Sequence, residues 1–255
     1  KLAEHYWPGP MTLILKKQTP VLDSVTGRQD TVGIRIPNHP VAQQLLKAFG
    51  GGLAAPSANS FGYISPTSAK HVREDLGDKI DMILDGGHCG VGIESTIIDC
   101  SGDAPRILRP GIMDNIRLDP NLRWGDTIAK APRVSGALDS HYAPRTLTRL
   151  LSAQSIDEML KKPETKNIVV LSSRKPTARH VKIYDARVPH HKSYIDPSIN
   201  SWIIMPSDSH AYAHRLYEQL HFADSLQCHE IWIEEVPNSS EWSGILDRIT
   251  KASCR

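Results

Sequence analysis

Thr31-Val32-Gly33-Ile34-Arg35-Ile36-Pro37 is the stretch on which the fold turns. Its β-branched residues predict a strand, and Pro37 ends it because proline has no N–H for a ladder. Upstream, Met11 to Lys16 (MTLILK), set off by Pro8-Gly9-Pro10, reads as a buried strand. Lys1 to Tyr6 reads as the tail of a helix. Downstream, His39-Pro40 leads into Val41 to Phe49, where Val41, Leu45 and Ala48 recur at helical spacing. Gly50-Gly51-Gly52 ends that helix. Leu53 to Ala55 predicts a further strand running into Pro56-Ser57-Ala58-Asn59. Thr67 or Ser68 predicts an N-cap for a helix through about Asp75. Ile80 to Leu84, Gly92 to Asp99 and Arg106 to Leu108 predict strands, closed by Asp85-Gly86-Gly87 and Arg109-Pro110-Gly111.

From Leu118 to Pro144 no periodicity lasts, and Pro120, Gly125, Pro132 and Gly136 interrupt the chain. That reads as a linker long enough to have a task of its own. Beyond it, Leu147 to Leu160 predicts a helix and Ile168 to Ser172 (IVVLS) a strand. Trp202 to Met205 predicts the next strand, and Ala213, Leu216, Leu220 and Ala223 an apolar stripe on a helix. Ile231 to Glu234 and Ser243 to Ala252 close the chain as strand and helix. Alternating strands and helices predict a parallel sheet, so the class is α/β.

Composition narrows the rest. Of 255 residues 40% are hydrophobic and 23% charged, which excludes disordered and collagen-like chains. A net charge of +2 is too even for a nucleic-acid coat or a membrane-surface protein. The four cysteines, Cys89, Cys100, Cys228 and Cys254, form no C-x-x-C pair, which points to a reduced cytoplasmic protein rather than a zinc ribbon or redox motif. No apolar run approaches the roughly 18 residues of a membrane span, and no secretory signal is written. The chain opens at Lys1 without Met, which predicts a further segment before it.

The turns after the predicted strands hold small hydroxyls beside Gly and Pro, with arginine nearby: Thr31 with Arg35, Ser57 with Asn59, Ser65, Ser95 with Thr96, and Arg109. Open α/β sheets bind ligands at strand ends, and such residues suit phosphate and carboxylate oxygens. They also suit ordinary turns. Arg35 within a strand either faces solvent or offers its planar fork to a carboxylate. No G-x-S-x-G elbow surrounds Ser95, no Walker A follows Gly50-Gly51-Gly52, and no G-x-G-x-x-G opens a helix. His88-Cys89 and His190-His191 lack the partners or spacing of a metal site. His141-Tyr142-Ala143-Pro144 is either a turn into the second unit or the tip of a strap.

Trp7-Pro8-Gly9-Pro10-Met11-Thr12-Leu13, Thr31 to Pro37, Ala55-Pro56-Ser57-Ala58-Asn59, Ser65-Pro66-Thr67, Asp85-Gly86-Gly87, Glu94-Ser95-Thr96 and Arg109-Pro110-Gly111 occur in this order. Together they resemble the YrdC-type threonylcarbamoyl-AMP synthases. His141 to Pro144 with a second α/β unit resembles the two-domain form. The resemblance implies a twisted open mixed sheet domain (YrdC-like) at 1–117, a strap over the active site at 118–144, and a smaller Rossmann-like α/β domain at 145–255. It implies synthesis of threonylcarbamoyl-AMP from L-threonine, bicarbonate or CO2 and ATP, with release of pyrophosphate. ATP is the nucleotide substrate, with Mg2+ on its phosphates, and the product passes to a tRNA threonylcarbamoyl-transferase complex. Matching positions imply ATP contacts at Thr31, Ser57, Ser65, Arg109 and Tyr142, and threonine contacts at Arg35, Ala55 and Ser95. No covalent protein intermediate is needed, so no nucleophile is assigned. The family carries a threonine-bearing strand and a Lys/Arg motif before the Trp-Pro-Gly-Pro segment, and this chain begins after them. Where the family's strap has a basic residue before the His-Tyr pair, this chain has Ala137-Leu138-Asp139-Ser140. Two rivals carry other functions: a carbamoyl-transfer maturation factor, which would need Cys-rich zinc motifs, and an RNA-binding module keeping the fold, which would need a basic run with interleaved aromatics.

Overall fold

The computed structural model describes residues 1–113, 123–124, 131–136, 138–178, 181–189, 196 and 198–254, with 123–124 as backbone alone. By contact the chain divides into two compact units, Lys1–Pro56 with Glu94–Ala137, and Ser57–Ile93 with Leu138–Arg255.

The first unit is built on a mixed sheet. Its strands are β1 (Met11–Lys16), β2 (Thr31–Ile34), β3 (Thr96–Asp99), β4 (Arg106–Arg109) and β5 (Arg123–Trp124), in the order β2-β1-β3-β4-β5. β1 runs antiparallel to β2 and parallel to β3; β3 and β4 are antiparallel, and β4 and β5 parallel. Alternation along β1 sends Met11 and Leu13 into a core with Ile98 and Ile107. Leu2, Ala3 and Tyr6 of α1 (Leu2–Tyr6) pack against that core, with Trp7 beside them. A short helix α2 (Asp23–Thr26) precedes β2, and α3 (Pro40–Phe49) follows it. The expected glycine stop of α3 is present: Gly50 takes φ 74°, and its N–H closes on the Leu46 carbonyl.

The second unit carries α4 (Ala69–Leu76), whose N-cap is Ser68, the hydroxyl accepting from the His71 N–H. It then follows β6 (Leu147–Leu151), α5 (Ala153–Leu160), β7 (Ile168–Ser172), β8 (Val181–Asp185), β9 (Asn200–Ile204), α6 (Ser209–Ser225), β10 (Glu230–Glu234) and α7 (Ser243–Ala252). The strands pair in the order β6-β10-β7-β9-β8, and every pairing is parallel. Ile156, Ile168, Val170, Trp202 and Trp232 form its core. Tyr212, Ala213, Leu216, Tyr217, Leu220 and Ala223 bury one face of α6.

The α/β class and the mixed sheet match the reading of the sequence, and several elements differ. Leu147 to Leu160 is a strand and a helix rather than one helix. β6 pairs with the distant β10, and Ser152 starts α5 afresh by accepting from the Ser155 N–H. Leu53 to Ala55 and Ile80 to Leu84 are not strands. Leu53, Met82 and Leu84 are 40%, 74% and 54% exposed, and among the described residues no strand pairs with either run. β8 was not foreseen: as an edge strand it exposes Lys182 and Ile183, and so lacks a full apolar signature. Of the expected strap, 118–122, 125–130 and 137 lie outside the described residues, as does the pair His190-His191.

Gly92 shows how closely the 57–93 segment packs on α6. It takes φ 89°, and a Cβ there would collide with the Ala213 carbonyl and with the backbone of His214. Gly92→Ala is expected to cost about 2–4 kcal/mol, adding the left-handed penalty to overpacking against backbone. A urea midpoint unchanged from the parent would overturn this.

Candidate active site

In the first unit the Glu94-Ser95-Thr96 turn enters β3 beside the start of β1. Ser95 is buried and its hydroxyl lies 2.7 Å from the Thr12 hydroxyl. Arg109, the last residue of β4, is 6% exposed and reaches back to the same turn. Its Nε and Nη2 donate to the Ser95 carbonyl at 3.2 and 3.0 Å, and Nη2 also lies 3.3 Å from the Ser95 hydroxyl. Its Nη1 donates to the Ser135 carbonyl at 3.0 Å and lies 3.3 Å from that hydroxyl. Gly111 is small for a reason: a Cβ there would sit 2.5 Å from the Thr96 nitrogen and 3.0 Å from the Glu94 carbonyl. The Arg-Pro-Gly and Glu-Ser-Thr turns are therefore two halves of one packed corner.

Strand register sorts the other candidates of this unit. The β1–β2 ladder ends with Leu13 opposite Ile34, so Arg35 follows just beyond it at the end of β1 where Thr12 meets Ser95. The Gly9 N–H to Ile36 carbonyl bond of 2.9 Å keeps the chains together past the end of β2. Arg35 and Ser95, the two expected threonine contacts with polar side chains, thus share one end of β1. Thr31 pairs with Lys16 at the other end, roughly 13 Å away at about 3.3 Å per residue. There Thr31 is buried and lines a cavity of about 350 Å³ together with Lys16, Gln29, Asp30, Ser101 and Arg133. The Gln29 amide pairs with the Arg133 backbone, donating to its carbonyl at 3.1 Å and accepting from its N–H at 2.6 Å. Arg133 Nη2 donates to the Gly27 carbonyl at 3.1 Å. Arg35 and Ala55 are exposed.

In the second unit Ser57 is exposed, Ser65 is 8% exposed and Tyr142 is 1% exposed. Tyr142 takes φ 61° and stacks on Tyr217 at 5.8 Å, with the Arg248 guanidinium 5.3 Å from its ring centre. The next residue, Ala143, bridges to Tyr63, and its N–H donates to the Gly62 carbonyl at 3.1 Å. Ser65 and Thr67 are held by two histidines, His221 and His71, which the sequence reading did not single out. Nothing local in the sequence marks them, nor Gln29 and Ser135, because each partnership joins distant stretches. Among the described residues no three His, Cys, Asp or Glu side chains gather as a metal site.

A mixed sheet with hydroxyl and arginine turns at its strand ends, together with a parallel α/β unit, defines a two-unit α/β protein whose strand-end turns suit oxyanion ligands. One family model, described as telomere recombination (Sua5/YciO/YrdC), matches residues 1–111, and another, threonylcarbamoyl-AMP synthase C-terminal domain, matches residues 110–254. The chain belongs to the Sua5/YrdC-type threonylcarbamoyl-AMP synthase family. It is 44% identical to the threonylcarbamoyl-AMP synthase of Pyrococcus abyssi over 154 residues, 56% of this chain and 44% of that protein. It is 32% identical to that of Schizosaccharomyces pombe over 285 residues, 99% of this chain and 65% of that protein. The chain spans less than two thirds of the length of these curated relatives. The crystal structure of P. abyssi Sua5 complexed with L-threonine superposes with a TM-score of 0.81 at 30% identity, covering 99% of this chain and 72% of that one.

Proposed function

We propose that the intact protein containing this chain makes threonylcarbamoyl-AMP from L-threonine, bicarbonate or CO2 and ATP, releasing pyrophosphate. The observation that carries this is the family membership, joined to a 30% identical relative whose structure holds L-threonine. In this reading the threonine amine attacks CO2, and a carbamate oxygen then attacks the α-phosphate with pyrophosphate leaving. The chain's own residues bind and orient. Arg35 takes the amino-acid carboxylate, with the Ser95 hydroxyl, tied to Thr12, beside it; a guanidinium offers that carboxylate two parallel bonds. Thr31, Ser57, Ser65, Arg109 and Tyr142 are the proposed ATP contacts, and Ala55 a backbone contact to threonine. Magnesium is proposed to arrive on the triphosphate, since the proposed ATP contacts are hydroxyls and arginine rather than carboxylates. The functional division into 1–117, 118–144 and 145–255 is proposed on the meeting point of the two family models at 110–111. The product is proposed to feed a tRNA threonylcarbamoyl-transferase complex in the cytoplasm. The free thiols Cys89, Cys100, Cys228 and Cys254 fit a reducing compartment.

The test is threonine-dependent pyrophosphate release by the intact protein. Arg35→Lys keeps the charge but loses the planar fork, so the threonine KM is expected to rise about tenfold with the ATP KM nearly unchanged. Wild-type kinetics would mean that Arg35 serves only as a solvent-facing residue. Absence of threonine-dependent release from the parent would overturn the proposed reaction itself.

A further inference from the structure

Two histidines from distant parts of the chain meet face to face behind the Ser65-Pro66-Thr67 turn. His71 lies in the first turn of α4 and His221 in the C-terminal half of α6, with ring centres 3.9 Å apart and planes 27° from parallel. Each ring holds one backbone group of the turn. His221 Nε2 donates to the Ser65 carbonyl at 3.1 Å. The Thr67 N–H donates to His71 Nδ1 at 3.3 Å, and the Thr67 hydroxyl lies 3.2 Å from the same nitrogen.

These partners dictate the tautomers. A carbonyl can only accept, so His221 carries a proton on Nε2. A peptide N–H can only donate, so His71 Nδ1 is bare and its proton sits on Nε2. Ser65 and Thr67 are buried, so losing either bond would strand a backbone polar group away from water. We infer that His71 and His221 are positioning residues for nucleotide binding, fastening the Ser65–Thr67 backbone so that the Ser65 hydroxyl is presented to a phosphate. This rests on the reading of Ser65 as an ATP contact.

The pair is also set against protonation. Burial and the neighbouring His221, Lys70 and His88 hold the pKa of His71 down to about 4. His221 faces Asp224, Glu74 and Asp75, which pull its pKa up together with the Ser65 bond, yet burial keeps it below the usual imidazole value. A proton on His71 Nδ1 would point one N–H at another and release Thr67. Because the folded pKa lies below the unfolded one, the clamp's contribution to stability is full above about pH 6.5 and declines below it, and the clamp itself opens as pH falls through about 4.

The experiment uses the intact protein with His71→Leu and His71→Asn. Asparagine places Oδ1 where Nδ1 stood and accepts from Thr67 at any pH. Thr67 amide exchange is followed by NMR, and ATP and threonine affinities by calorimetry. His71→Leu is expected to speed Thr67 exchange and to raise the ATP Kd about tenfold, with threonine affinity within about twofold. His71→Asn is expected to stay within about twofold of the parent at neutral pH and to flatten the parent's loss of ATP affinity as pH falls through about 4. Unchanged Thr67 exchange in His71→Leu would overturn the clamp. Faster exchange with unchanged ATP affinity would overturn the positioning role, and Ser65→Ala then locates the fault. If Ser65→Ala weakens ATP binding, only this inference falls; if it does not, the reading of Ser65 falls with it.

Discussion

Tyr142→Ala is expected to cost about 3–5 kcal/mol of unfolding free energy, the range for deleting a buried aromatic ring from a core. The ring is 1% exposed and contacts both Tyr217 and the guanidinium of Arg248, itself 0% exposed. Removing the ring opens a cavity and also strips a buried cation of its π-face, a desolvated contact of about 2 kcal/mol. The backbone points the same way. A tyrosine at φ 61° occupies the left-handed region at a cost of about 1–2 kcal/mol, and it stays there because its packing holds it. Tyr142→Gly relieves that strain without restoring the ring, so it is expected to be about 1 kcal/mol less damaging than alanine. Tyr142→Phe keeps ring and cation contact and should unfold within about 1 kcal/mol of the parent. The phenylalanine variant is therefore the one in which ATP titration tests the hydroxyl alone. Urea unfolding reads all three, and an alanine variant with the parent's midpoint would remove Tyr142 from the core.

Much of the fold was legible because it is written in short-range pattern. The apolar runs at Met11–Lys16 and Ile168–Ser172 became β1 and β7, and the stripe through Leu216 and Leu220 became the buried face of α6. The reading failed where a long-range partner decides. Leucines at 147, 150, 151 and 160 fit a helical period as well as a strand followed by a helix, and β10 settled the matter for Leu147–Leu151. Leu53 to Ala55 reads as a strand from its place between Gly50-Gly51-Gly52 and Pro56, but its Leu-Ala-Ala has no β-branched residue, and position alone cannot supply a neighbour to pair with. The candidate site divides in the same way. Hydroxyls and arginines at strand ends could be named from residue type alone. That Arg109 meets Ser95, that Arg35 follows the Leu13–Ile34 pair at one end of β1 while Thr31 lies at the other, and that His71 and His221 grip one turn are all consequences of register and packing between remote segments.

Arg109→Ala is expected to lower the stability of the first unit by about 1.5–3 kcal/mol, because the buried Ser95 carbonyl loses a charged donor, whereas the carbonyl of exposed Ser135 can turn to water. Every nitrogen of the Arg109 guanidinium is already engaged by Ser95 or Ser135. A phosphate oxygen at Arg109 would have to displace one of those contacts, and the exchangeable ones are the hydroxyls at 3.3 Å rather than the shorter carbonyl bonds. The residue therefore ties β4, the Glu94–Thr96 turn and Ser135 together whether or not nucleotide is present. Arg109→Lys keeps the charge on a single ammonium that cannot span both carbonyls, so it should recover less than half of the lost stability. Ser135→Ala removes only a hydroxyl and leaves its carbonyl bonded to Nη1, so it should unfold close to the parent. The three variants separate the tie from the ligand contact. Stability falling in the order Ser135→Ala, Arg109→Lys, Arg109→Ala is the signature of the tie. An Arg109→Ala variant that unfolds like the parent but loses ATP affinity would instead make Arg109 a phosphate ligand with little part in holding the corner.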